Sequence, residues 1–72
     1  MNAKEFADNL RVINCLSGND FELIFGSNWK HFADKFFYVY NSNVTKFICY
    51  LDNENVEIFM KYVNTKRIKQ AS

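Results

Sequence analysis

Proline is absent from this sequence, histidine occurs once, and glycine and cysteine occur twice each. Each scarcity closes a route to chemistry. With Gly18 and Gly26 as the only glycines, no loop is available to cradle a phosphate in a Walker or dinucleotide pattern. His31 lacks thiolate or carboxylate partners at the spacing of a zinc site, so neither a metal nor another cofactor is expected. As a general base it would need a nucleophile and an orienting acid, and only Ser27 and Asp34 lie near it in sequence. Cys15 and Cys49 are far apart, form no CxxC and have no neighbouring histidine or basic cluster to favour a thiolate. They read as buried free thiols of a reducing compartment, with a single disulfide between them as the alternative. No catalytic residue is assigned, and a non-enzymatic protein is expected.

Charge of one sign is also lacking. Nine Lys and Arg stand against eight Asp and Glu, for a formal charge of +1. A protein that coats nucleic acid draws much of its affinity from neutralising phosphates, so any such role would rest on local clustering. The opening stretch, MNAKEFADNLRV, carries acids and no continuous apolar run, so neither a secretory signal nor a membrane span is expected. A cytoplasmic protein is the corresponding expectation.

What is present in quantity is aromatic. The 72 residues include eight Phe, four Tyr and one Trp, and a chain this short folds as a single small domain that buries only about 60% of its unfolded surface. Large rings bury the most area per residue, so they supply the dense core that such a domain needs.

Along the chain, residues 2 to about 16 predict an amphipathic helix, with Ala3, Phe6, Ala7, Leu10 and Ile13 at three- and four-residue spacing. Asn2 and Glu5 stand at capping-box spacing, and Ser17-Gly18-Asn19 ends the helix. Residues 20–26 predict a strand. Lys35 to Leu51, KFFYVYNSNVTKFICYL, predicts a β-hairpin, because Phe, Tyr, Val and Ile suit a pleated, half-buried surface and Asn41-Ser42-Asn43 suits a turn. Trp29, Phe32, Ala33, Phe36, Phe37 and Tyr40 also fit a helical period, so a helix over 28–40 is the rival. From about Asn53 to Arg67 a final helix is predicted. Val56, Phe59, Met60 and Val63 have helical spacing, acids stand in the first turns and Lys66 and Arg67 in the last. Fraying is expected from about residue 70. The resulting fold is α+β, a small α-β-β-β-α domain with a three-stranded antiparallel meander packed against two helices; the alternative is an all-α small helical bundle.

In the α+β reading one sheet face gathers Phe21, Leu23, Phe25, Phe37, Val39, Phe47, Cys49 and Leu51 as core. The other gathers Glu22, Ile24, Phe36, Tyr38, Tyr40, Lys46, Ile48 and Tyr50; either the segment around Trp29 or a helix covers it, or, left open, it is too aromatic for an idle surface. Tyr and Trp often carry binding energy, so Trp29, Phe36, Tyr38, Tyr40 and Tyr50 are the expected partner contacts. Lys61, Lys66, Arg67 and Lys69 are the candidate nucleic-acid contacts, although cations at a helix C-terminus also complement its dipole.

Abundant Asn, Lys, Ile, Phe and Tyr fit an AT-rich coding genome. In size and kind the chain resembles the small accessory proteins of phages and mobile elements, among them anti-CRISPR inhibitors of host defence. That resemblance implies a protein that occupies a surface of a larger protein or ribonucleoprotein, with Asp20, Glu22, Asp52 and Glu54 available to mimic phosphates. A small nucleic-acid-binding regulator and a homo-oligomeric structural protein, for instance a homodimer, are the alternatives.

Overall fold

In the computed structural model, which describes residues 2–71 and the side chains of 2–69, every regular element is helical. α1 spans Ala3–Asn14, α2 Gly18–Phe25, α3 Trp29–Asp34, α4 Val44–Tyr50 and α5 Asn53–Ala71. A single 3₁₀ turn, Gly26–Asn28, links α2 to α3, and α3 runs on into a π-helical turn over Lys35–Val39. There is no strand among the described residues, so the α+β meander is corrected to an all-helical architecture.

Capping explains much of this. Asn2 accepts a hydrogen bond from the Glu5 amide at 2.8 Å, Asn43 one from Lys46 at 3.0 Å, and Asp52 one from Asn55 at 2.9 Å. At the start of α2 the Ser17 amide donates to the Asp20 carboxylate at 2.8 Å, and the Ser17 hydroxyl donates to it at 3.1 Å. Each satisfies polar groups that a helix start leaves unpaired, an effect worth about 1 kcal/mol. Residues 20–26 and 45–51 therefore begin behind caps and do not extend as strands.

The apolar pattern follows the helical period. In α2, Phe21 is buried and Ile24 and Phe25 half-buried, while Leu23, expected in the core, is 67% exposed. In α4, Phe47 and the following Leu51 are buried and Val44 and Ile48 pack against them. Over 28–40 the rival period prevails: Ala33 and Phe36 are buried, Phe32, Phe37 and Tyr40 half-buried, and Val39 points outward. Cys15 and Cys49 are free, as expected, but exposed.

Phe21 is the hub of the core. Its ring centroid lies 5.7 Å from Phe36, 5.5 Å from Phe37, 6.1 Å from Phe47 and 6.4 Å from Phe59, separations typical of favourable aromatic pairs. The π-helical turn, α4 and α5 thus converge on one side chain of α2. Val12, Ile13 and Leu16 from the α1 end and Val63 from α5 complete the buried set. The radius of gyration is 11.6 Å, against about 11 Å for a compact chain of this length.

Two glycines matter locally. Gly26 ends α2 with φ +67°, which a side chain rarely tolerates. At Gly18 a Cβ would stand 3.2 Å from the Trp29 ring, so its absence lets that ring lie against the first turn of α2.

α5 keeps a helical backbone through Ala71, beyond the expected end at Arg67. Of the end expected to fray from about residue 70, Gln70 and Ala71 keep a helical backbone and Ser72 lies outside the described residues.

Candidate functional site

The first polar cluster is structural. Asp20, almost buried, accepts from the Tyr62 hydroxyl at 2.5 Å and from Lys66 Nζ at 2.7 Å, in addition to both Ser17 groups. Burial alone would raise its pKa. The Lys66 ammonium, the Ser17 amide and the Tyr62 hydroxyl outweigh that and hold the carboxyl far below the usual carboxylate range. Tyr62 is pushed up by burial and by the adjacent carboxylate, and Lys66 is pushed up chiefly by its bond to Asp20. A second network joins α1 to α5: Arg67 Nε donates to Asn9 Oδ1 at 2.9 Å, and Asn9 Nδ2 donates to Asn64 Oδ1 at 3.2 Å.

These networks redefine the basic end of α5. Of the four candidate nucleic-acid contacts, Lys66 is paired with Asp20 and Arg67 is bonded to Asn9, so both hold helices together. Lys61 and Lys69 are exposed. Asp20 faces inward and is fully engaged, which removes it from any surface that mimics phosphates.

The predicted partner contacts separate into four groups. Phe36 is completely buried against Phe47, at 5.1 Å between centroids, and is corrected from contact residue to core. Trp29 is half-buried and packs near the first turn of α2. Tyr40 and Tyr50 come together with centroids 5.8 Å apart. Around Tyr50 gather two side chains the sequence did not assign to a site: His31, whose Nε2 lies 2.5 Å from the Tyr50 hydroxyl, and Lys35, whose ammonium stands 5.4 Å from the ring centroid. The lysine contact is a cation–π interaction, worth about 0.5–1 kcal/mol at an exposed site. Tyr38 projects outward at 78% exposure, two residues along the chain from Tyr40.

The backbone beneath this surface departs from α-helical geometry. The Tyr40 amide donates to the Lys35 carbonyl five residues back, and the Ser42 amide to Phe36 six back. Asn41 and Ser42 follow with φ of +50° and +62°. Left-handed residues other than glycine cost about 1–2 kcal/mol each, and both π-turns and strained residues concentrate at functional sites. Here they turn the chain sharply after Tyr40, so that α4 folds back and sets Tyr50 beside Tyr40.

Among the described residues no cluster of three His, Cys, Asp or Glu side chains comes together, and no helix is long and apolar enough to cross a membrane. Comparison with family models, with curated proteins and with solved structures finds no match to any of them.

Proposed function

We propose that the protein is a non-enzymatic binding module that acts by covering a surface of a larger protein, using Tyr38 and the cluster of Tyr40, Tyr50, His31 and Lys35. The observation that carries this reading is Tyr38: a tyrosine 78% exposed on a π-helical turn closed by two left-handed residues. A ring left out of a core so rich in aromatics contributes little to folding, whereas in an interface it is among the side chains that most often dominate affinity. The cluster around Tyr50 supplies what a contact surface needs: apolar ring area, two hydroxyls, an imidazole and one ammonium group. Such a module can inhibit its target, in the manner of the phage and mobile-element proteins it resembles in size and kind, by occupying a surface that the target needs for its own contacts.

A protein partner is favoured over nucleic acid because the net charge is only +1 and because Lys66 and Arg67 are engaged within the fold. Affinity capture from nuclease-treated host lysate tests the proposal. Wild type and Leu23→Ala should retain the same protein, and Tyr38→Ala should lose it. Retention by Tyr38→Ala at wild-type level would reject this surface. Recovery of nucleic acid alone, released by salt, would reject the protein-partner reading.

A further inference from the structure

α1 and α4 do not close against one another, and the gap between them is an apolar groove of about 290 Å³. Phe6, Leu10 and Ile13 line it from α1, Val44 and Ile48 from α4, and Met60 from α5. We infer that this groove binds a small, uncharged, apolar molecule.

Three observations define that ligand. The lining carries no charge, and by the helical period Lys4, Asp8 and Arg11 fall on the other side of α1. Its buried polar group is already satisfied, since Asn9 donates to Asn64 and accepts from Arg67. The other polar residues of the lining are Thr45 and Cys49, both exposed and uncharged. A charged headgroup would therefore find no partner in the groove.

The third observation is size. Small-molecule pockets begin near 300 Å³, and an apolar cavity of about 150 Å³ already admits benzene. The groove is too short for larger occupants. From Phe6 to Ile13 it runs about 10 Å along α1, so a docked helix would touch it over about two turns. Nine residues line the groove, against about 20–30 residues on each side of a stable protein interface. Phe6, 55% exposed at one edge, would be covered by a bound ring or alkyl chain. The unbranched Met60 side chain can adjust to its shape.

The two free cysteines provide a controlled test, because Cys49 lines the groove and Cys15 does not. N-phenyl-1-naphthylamine, a neutral fluorescent probe, is titrated into the protein, and iodoacetamide labelling of each thiol is followed by mass spectrometry. The expected result is saturable one-to-one binding. At ten times its Kd the probe leaves about one groove in eleven free, so Cys49 labelling slows about tenfold while Cys15 labelling is unchanged. Thr45→Trp, which places a large ring over the groove from an exposed position, should abolish probe binding with the circular dichroism spectrum unchanged. Absence of saturable binding, equal slowing of both thiols, or full binding by Thr45→Trp would overturn the inference. So would protection of Cys49 that grows with protein concentration alone, since the groove would then be covered by a second copy.

Discussion

Asp20→Ala is the substitution whose cost follows most directly from the structure. It removes a nearly buried carboxylate that accepts from Lys66, Tyr62 and both Ser17 groups, and so unties the start of α2 from α5. Removing one partner of a buried ion pair costs about 3–5 kcal/mol. Lys66 is about one-third exposed and can recover water, which places this pair at the low end. The Ser17 cap adds about 1 kcal/mol, so the expected loss is about 3–4 kcal/mol. A 72-residue chain has a total stability of about 4–11 kcal/mol, and the loss should lower Tm by on the order of 15–25 °C. Urea unfolding followed by circular dichroism measures it, with Trp29 fluorescence reporting on α2 because the ring lies beside Gly18. The carboxyl is depressed in the fold, so its stabilisation is complete above the unfolded value near 4 and falls away as pH drops toward and below 2. Lys66 and Tyr62 are raised, so their share is present below about pH 10 and is lost as pH rises through their higher folded values. Asp20→Asn should flatten both limbs. A stability change within about 0.5 kcal/mol, the range of ordinary surface substitutions, or an unaltered pH profile, would refute the reasoning.

Phe21→Ala should cost about 3–5 kcal/mol by leaving a cavity where five rings meet, detected as a large fall in the urea midpoint or as loss of the cooperative transition. Ser42→Gly should raise stability by about 1 kcal/mol, because it relieves a left-handed residue, and thermal unfolding would read this as a higher Tm. Arg67→Ala should destabilise the fold by about 1–2 kcal/mol through the lost charged hydrogen bond to Asn9, measurable by urea titration with no nucleic acid present.

The start of the first helix and the last helix were legible in the sequence, but the buried face of α1 was not: Ala3, Phe6 and Ala7 are exposed while Asn9 and Val12 are buried, and Ser17-Gly18-Asn19, read as a helix stop, opens α2. Asn2 with Glu5 marked the start of α1, and the spacing of Val56, Phe59, Met60 and Val63 marked α5. The middle was misread because two signals compete there. Phe, Tyr, Val and Ile favour strands by local propensity, yet Phe32, Ala33, Phe36, Phe37 and Tyr40 repeat with the helical period, and burial around Phe21 decided between them. Asn41-Ser42-Asn43 was correctly a turn, but it joins helices. Asn43 and Asp52 act as N-caps, and the side chains that favour turns are the same ones that cap helices. Ser17 and Asp20, three residues apart, were the overlooked signal for α2.

Of the proposed site, Tyr38, Tyr40 and Tyr50 could be named from composition and position. Phe36 could not be told from them, since positions 36, 38 and 40 share one face at the strand period and only the helical period sets 36 opposite 38. His31 and Tyr50 are nineteen residues apart, and Lys66 and Asp20 forty-six. No local pattern joins such pairs, and only the packing of α2 and α3 against α4 and α5 brings them together.

The central claim is that Tyr38 lies at the contact with a partner protein. Photocrosslinking tests it most directly: a benzophenone amino acid is placed at position 38 in one variant and at position 23 in another, and both are irradiated in host cells. The account predicts one dominant protein adduct from position 38 and little or none from position 23. Adducts from position 23 with none from position 38 would contradict it.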